Sequence, residues 1–145
     1  MIRIKRLGHV LLRTRDIEQQ IAFYCEVLGF DVLEHDGDMA FLSLQDSSHT
    51  IDLLQLDKNA PEINNVGALH HIAFELNSFE ELREAYYQLK AEDVEILRSV
   101  DHKTQQSIYF KDRDGNRLEL YSEVDGAREM FLEGRQDEDE ILVFE

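Results

Sequence analysis

Cysteine and basic residues are scarce in this sequence. The single cysteine, Cys25, excludes an internal disulfide framework, and its apolar neighbours on a predicted helix favour a small buried residue over a reactive thiol. Lysine and arginine number 15 against 31 acidic residues, which gives a formal net charge of −16. Because nucleic acids and anionic membrane surfaces attract positively charged proteins, we expect neither as a partner.

Long apolar segments are also missing. The first six residues hold two arginines and a lysine, with no apolar run behind them, which does not fit a signal peptide. No stretch of the sequence is apolar over the length needed to cross a bilayer. We therefore expect a cytoplasmic location.

The chain is long enough to fold without covalent or metal cross-links. Its 145 residues, 43% of them hydrophobic, suit one compact domain or two small fused modules. A bound metal would therefore serve chemistry more than folding.

An internal repeat is the most informative feature of the chain. The apolar segments LGHVLL and LHHIAF each carry a histidine at the third position, His9 and His71. Each segment is followed by a helix-capping residue, Asp16 in the first half and Ser78 in the second. Histidines and caps share one offset of 62 residues. The two halves are therefore predicted to fold alike.

The predicted elements follow the same order in both halves. Apolar residues at helical spacing predict helices over residues 17–28 and 79–90. Three strands follow each helix, separated by Asp- and Gly-containing turns. They cover residues 30–34, 39–44 and 50–56 in the first half, and 94–98, 107–111 and 117–121 in the second.

The predicted fold class is α+β, with two βαβββ modules whose curved mixed sheets form a shared metal-binding cavity. They make one domain of residues 1–122: module one is 4–56, the linker is 57–67 and module two is 68–122. Residues 123–145 form an acidic C-terminal tail with a predicted helix at 127–133. The apolar residues near its end could dock on the domain or on another subunit.

Four side chains at repeat-related positions are candidate metal ligands. His9 and His71 hold equivalent places on the two first strands, and Asp52 and Glu119 hold equivalent places on the two last strands. A lone histidine or carboxylate in a strand is usually structural, but four at matching positions favour a metal site. Two imidazoles and a carboxylate suit Fe²⁺, and also Ni²⁺, Zn²⁺ or Mn²⁺. Asp52, with the shorter side chain, is either a fourth ligand or an outer-sphere group.

Two other histidines are less favoured as ligands on sequence grounds. His70 would face the opposite side of the strand from His71, and it aligns with Gly8 in place of His9. His49 lies in a predicted loop, where a plain polar role is the commoner one.

The chain resembles the vicinal oxygen chelate superfamily, which includes glyoxalases, extradiol dioxygenases, fosfomycin-resistance enzymes and bleomycin-binding proteins. The resemblance rests on LGHV with Asp16, on FYCEVLGF, on LHHIAF and on DRDGNRLEL. It implies a divalent metal held by His9, His71 and Glu119, with Fe²⁺ favoured. It also implies a small-molecule substrate with vicinal oxygens and a homodimeric assembly.

Within that superfamily, the segment after His71 resembles extradiol dioxygenases. The resemblance implies that Tyr109 hydrogen-bonds the bound substrate and that His102 lies near it as a catalytic group together with Glu119. Phe41, the repeat-related counterpart of Tyr109, is expected to line the substrate site. The sequence departs from these enzymes in lacking their acid–base histidine ahead of His71.

Two alternatives remain open. Arg13, four residues after His9, resembles the arginine with which glyoxalases bind the glutathione carboxylate, and Glu119 would then bind metal and shuttle a proton. A binding protein that sequesters a small molecule, as in antibiotic resistance, would keep the fold but not need the metal ligands. We favour the catechol-type dioxygenase over the glyoxalase-like lyase or isomerase.

Overall fold

A computed structural model describes residues 1, 3, 7–45, 49–61, 69–134 and 138–145. The predicted starts of both modules, most of the linker, the turn at 46–48 and Asp137 of the acidic tail lie outside the described residues. Within the described part of the chain, no helix has the length and apolar character to cross a membrane. The chain divides into two compact units, Met1–Ile63 and Asn64–Glu145.

The first unit is a four-stranded mixed sheet with one helical segment. Strand β1 is parallel to β4, the remaining pairs are antiparallel, and the strand order is β1-β4-β3-β2. The elements are β1 (Val10–Thr14), α1 (Ile17–Ala22), a π-helical turn (Phe23–Val27), β2 (Asp31–Asp36), β3 (Met39–Ser43) and β4 (Ile51–Gln55).

The first helix begins as predicted but changes its winding. The Asp16 side chain accepts a hydrogen bond from the Gln19 amide at 3.0 Å, which caps the N-terminus. The predicted continuous helix over 17–28 instead becomes π-helical from Phe23 onwards. The wider π turn reduces the angle between successive side chains, and both Phe23 and Tyr24 are buried in the core.

The second unit repeats this arrangement and extends it. The strand order is β5-β8-β7-β6-β9, with β5 parallel to β8 and the other pairs antiparallel. The predicted α+β class and the two βαβββ modules are therefore confirmed. The elements are β5 (Ile72–Glu75), α2 (Phe79–Ala91), β6 (Ile96–Asp101), β7 (Gln105–Lys111), β8 (Arg117–Glu123), α3 (Ala127–Leu132) and β9 (Glu140–Ile141).

The strand registers reproduce the repeat at the level of single residues. Phe41 pairs with Asp52 in the first sheet, and Tyr109 pairs with Glu119 in the second. One correction concerns the histidines: His9 and His71 each lie one residue ahead of the first strand of their unit, not within it. Their equivalent placement in the two units is unchanged.

In each unit, one face of the sheet packs on the helix and the other carries the candidate site residues. Strand side chains alternate between the two faces, so the apolar core and the polar site share the same strands. The core face of the sheet is formed in the first unit by Leu12, Ala40, Leu42, Ile51 and Leu53, and in the second by Ile108, Phe110, Leu118 and Leu120. Helix α2 contributes the buried Leu82 and Leu89 to the second core.

The C-terminal tail docks on the second unit. Helix α3 occupies the predicted place, and β9 adds a short antiparallel strand to the edge of β6. The Phe144 ring stacks on Tyr86 and Phe79, with ring centroids 4.5 and 5.9 Å away. The sequence left open whether the apolar end of the tail docks on the domain or on another subunit. Phe144 docks on the second unit of its own chain.

Candidate metal centre

Three donor side chains gather in the first unit. Nε2 of His9 lies 3.7 Å from Oδ2 of Asp52, and Nδ1 of His49 lies 2.6 Å from Oδ1 of the same carboxylate. One ligand atom from each residue lies within 4.8 Å of the other two. The Asp52 side chain is 5% exposed, and the two imidazoles are partly open to solvent. Two imidazoles around one buried carboxylate form a donor set that divalent transition metals accept.

His49 is the ligand candidate that sequence reasoning missed. It lies two residues ahead of β4, and His9 lies one residue ahead of β1. Because these two strands are parallel neighbours, their starts lie side by side. The two imidazole rings stack with centroids 4.4 Å apart. The parallel pairing of first and last strands was the signal that could have identified it.

The second unit brings His71 and Glu119 together. Nε2 of His71 lies 3.0 Å from Oε2 of Glu119, whose side chain is 4% exposed. Two atoms bound at about 2.1 Å to neighbouring positions of one ion are separated by about 3 Å, so this pair fits a shared metal. The other carboxylate oxygen accepts a hydrogen bond from Nε2 of Gln105 at 2.9 Å, which fixes its orientation.

The proton on His71 follows from its neighbours. A guanidinium only donates, so Nε2 of His70 accepts from Arg117 at 2.9 Å, and the His70 proton lies on Nδ1. That Nδ1 is 2.7 Å from Nδ1 of His71, so a neutral His71 carries its own proton on Nε2, facing Glu119. Metal binding at Nε2 therefore requires the His71 proton to move to Nδ1, and Nδ1 can then no longer accept the hydrogen bond from His70.

Tyr109 and His102 lie beside this pair. The Tyr109 ring meets the His71 ring edge-on, with centroids 5.7 Å apart, and its hydroxyl lies 3.0 Å from Nε2 of His102. Burial, followed by the Glu119 carboxylate, raises the pKa of Tyr109. The Arg98 guanidinium lies over the ring, 4.6 Å from its centroid. Tyr109 is therefore a protonated phenol that can donate a hydrogen bond at this site.

The remaining predicted substrate residues lie in the first unit. Phe41 meets the His49 ring edge-on at 5.6 Å and shares a sheet face with Asp52. Arg13 is exposed on β1, two residues beyond Leu11, which pairs with Asp52, so it lies on that same face. Both residues are thus on the donor-bearing side of their sheet.

The predicted site residues therefore form two groups. His9, Asp52, Phe41 and Arg13 share a sheet face in the first unit, and His71, Glu119, Tyr109 and His102 form a contiguous group in the second. The binding of one ion by His9, His71 and Glu119 together stays a prediction.

Comparison with known proteins extends these findings. A family model described as the Glyoxalase/Bleomycin resistance protein/Dioxygenase superfamily matches residues 6–120. Biphenyl-2,3-diol 1,2-dioxygenase 2 of Rhodococcus globerulus is 31% identical over 117 residues, which cover 79% of this chain and 61% of that protein. The chain thus spans less than two thirds of the length of this dioxygenase.

Two further proteins match over most of their own length. Metallothiol transferase FosB of Staphylococcus haemolyticus is 34% identical over 123 residues, covering 82% of this chain and 84% of that protein. The crystal structure of the fosfomycin resistance protein FosX from Listeria monocytogenes aligns with a TM-score of 0.68 at 25% identity, covering 87% of this chain and 99% of that one.

Proposed function

Because this chain belongs to the Glyoxalase/Bleomycin resistance protein/Dioxygenase superfamily, we propose that it is a metal-dependent enzyme acting on a small molecule with adjacent oxygen atoms. Its proposed ligands are His9, His71 and Glu119, with Asp52 as a fourth or outer-sphere group. The relatives named above are enzymes of two kinds, dioxygenases and thiol transferases. A homodimeric assembly is part of the proposal, and light scattering on the purified protein tests it.

The donor set supports a divalent ion. His71 and Glu119 hold their donor atoms 3.0 Å apart, as neighbouring ligands of one ion do. Fe²⁺ is the favoured ion, and Ni²⁺, Zn²⁺ or Mn²⁺ suit the same atoms. When bound, the ion supplies Lewis acidity and open positions for the oxygens of the substrate.

The reaction we propose is ring cleavage of a catechol-type diol by O₂, in which both oxygen atoms enter the product and one ring carbon–carbon bond breaks. The observation that carries this proposal is the hydrogen bond between Tyr109 and His102 next to His71 and Glu119. A diol loses protons as it chelates, and the ring-opened product takes them up again. Tyr109 can donate to a substrate oxygen while Nε2 of His102 holds the exchanged proton.

The test uses protein loaded with Fe²⁺ under anaerobic conditions. Oxygen uptake and formation of a yellow product are measured with catechol and with biphenyl-2,3-diol. Tyr109→Phe should lower kcat by about 10²-fold, because it removes the donating hydroxyl and keeps the ring. Tyr86→Phe, the same change on helix α2, is the matched control. Absence of oxygen uptake across a panel of diols contradicts the proposal.

A thiol transferase is the second candidate, favoured by the match to FosB over 84% of that protein. The same protein loaded with Mn²⁺ or Ni²⁺ would then consume thiol in the presence of fosfomycin. A glyoxalase-like lyase stays the alternative supported by Arg13 on the donor-bearing face, and methylglyoxal with glutathione would give a thioester. Retention of the donor residues argues against a binding protein that only sequesters its ligand.

A further inference from the structure

We propose that Asp139, in the C-terminal tail, is a positioning residue for His102. It holds the His102 imidazole in the tautomer and orientation that present the Nε2 lone pair to the Tyr109 hydroxyl. This inference rests on the proposed function of the Tyr109–His102 pair. It makes the tail, which lies outside the βαβββ repeat, part of the working site.

The contacts form a chain of three side chains. Oδ1 of Asp139 lies 2.7 Å from Nδ1 of His102, and Nε2 of His102 lies 3.0 Å from the Tyr109 hydroxyl. A carboxylate can only accept, so the His102 proton lies on Nδ1. Nε2 of the neutral ring is then an acceptor, and the Tyr109 hydroxyl donates to it.

His102 depends on a side-chain partner because its backbone alone does not fix the ring. It lies in the turn between β6 and β7, where its amide donates to the Gln105 carbonyl at 2.8 Å. Lys103 follows in a left-handed conformation with φ of 67°. The turn fixes the position of the His102 Cα–Cβ bond, but it does not fix the two side-chain torsions, χ1 and χ2, that orient the ring. Hydrogen bonds at both ring nitrogens remove that freedom.

The register of the tail places Asp139 opposite His102. In the antiparallel pair of β6 and β9, Asp101 pairs with Glu140 and Val100 pairs with Ile141. Continuing that register by one residue brings Asp139 opposite His102. Next to it, the Lys103 ammonium lies 2.7 Å from the Glu140 carboxylate.

Position, and not negative charge alone, distinguishes Asp139 from the other acidic residues of the tail. The Glu140 carboxylate pairs with an exposed lysine, an arrangement that is common on protein surfaces and needs no function. The His102 side chain is 14% exposed and is already engaged with Tyr109. A side chain that hydrogen-bonds this ring therefore influences how the ring is presented to Tyr109.

The first test reads the His102 tautomer in metal-free protein by nitrogen-15 NMR of the histidine rings. Signals are assigned with His102→Asn. Wild type should show His102 protonated on Nδ1 alone, and Asp139→Ala should show a mixture of tautomers. Asp139→Asn keeps an acceptor oxygen at the same reach and should restore the wild-type pattern. Glu138→Gln removes one charge from the same segment and should change nothing.

The second test measures turnover of Fe²⁺-loaded protein with a diol. Asp139→Ala should lower kcat by about tenfold with little change in KM, and Asp139→Asn should recover most of it. If wild type turns over but Asp139→Ala keeps its kcat, the positioning role is wrong. If wild type shows no turnover, the dioxygenase proposal fails, and the tautomer measurement still decides the role of Asp139. An unchanged tautomer in Asp139→Ala overturns the inference.

Discussion

Glu119→Gln is the perturbation that tests the metal centre most directly. The substitution keeps the shape of a side chain that is 4% exposed, and it removes the charge that faces His71 at 3.0 Å. The hydrogen bond from Gln105 to the other oxygen at 2.9 Å can be kept by the amide oxygen. In that orientation the amide NH₂ faces His71, where it cannot bind a cation. The variant should therefore fold and bind metal weakly.

The loss of metal affinity expected for Glu119→Gln can be calculated from the binding free energy that one ligand contributes. Four-ligand zinc sites bind with roughly 10–16 kcal/mol, so one ligand contributes about 3 kcal/mol, or about two orders of magnitude in Kd. At a metal concentration of about 100 Kd, wild type gains about 2.7 kcal/mol of stability, and a variant with 100-fold weaker binding gains about 0.4 kcal/mol. For a chain of this length these gains correspond to shifts in Tm of about 8 °C and about 1 °C.

The assay is thermal unfolding with and without Zn²⁺ or Mn²⁺, followed by circular dichroism, with affinity measured by competition against a chelating dye. Glu123→Gln, an exposed glutamate at the end of the same strand, is the matched control and should behave as wild type. A Glu119→Gln protein that is folded and shows the full metal-induced shift would refute the assignment of Glu119 as a ligand.

Three further predictions follow from the structure. His49→Ala leaves the buried Asp52 carboxylate without its 2.6 Å partner, so urea denaturation should show a loss of about 1–2 kcal/mol in the free energy of unfolding. Burial, followed by the charges of Asp31 and Glu26, raises the pKa of Cys25, so the thiolate fraction at a given pH is below that of a free cysteine. Iodoacetamide alkylation of Cys25 should therefore have its midpoint at a higher pH than that of a free cysteine, and Asp31→Asn should lower this midpoint by the smaller part of the shift, since burial is unchanged. Phe144→Ala removes the ring stacked on Tyr86 and should speed hydrogen exchange at the Leu142 amide, which donates to the Ser99 carbonyl at 3.1 Å, while leaving exchange in β8 unchanged.

The repeat of the fold could be predicted from sequence because its signals are local. Apolar periodicity, the caps at Asp16 and Ser78, and the turns between strands each depend on a few neighbouring residues. They were sufficient to align Phe41 with Tyr109 and Asp52 with Glu119, and the strand registers confirm that these pairs are equivalent. The choice of Asp52, Glu119, Phe41 and Tyr109 as candidate site residues rests on this alignment.

The features that were missed depend on contacts between distant segments. His49 joins the donor group because β1 and β4 run in parallel side by side, a pairing between residues about forty positions apart along the chain. Asp139 reaches His102 through a two-residue strand, which is too short to give a periodic signal. Neither of these arrangements is encoded in a short window of sequence.

The short strand β9 also bears on the tendency of the protein to aggregate through its sheet edges. Within the βαβββ repeat, the strand at one side of each sheet is β2 in the first unit and β6 in the second. The backbone of an unpaired outer strand can hydrogen-bond to another chain. In β2 every residue is exposed and three are acidic, Asp31, Glu34 and Asp36, so like charges discourage such pairing. Strand β6 carries the buried Val100, and β9 pairs with its end at Val100 and Asp101. A chain shortened before residue 138 would leave this backbone open, and we expect it to aggregate at concentrations where the full chain stays dispersed.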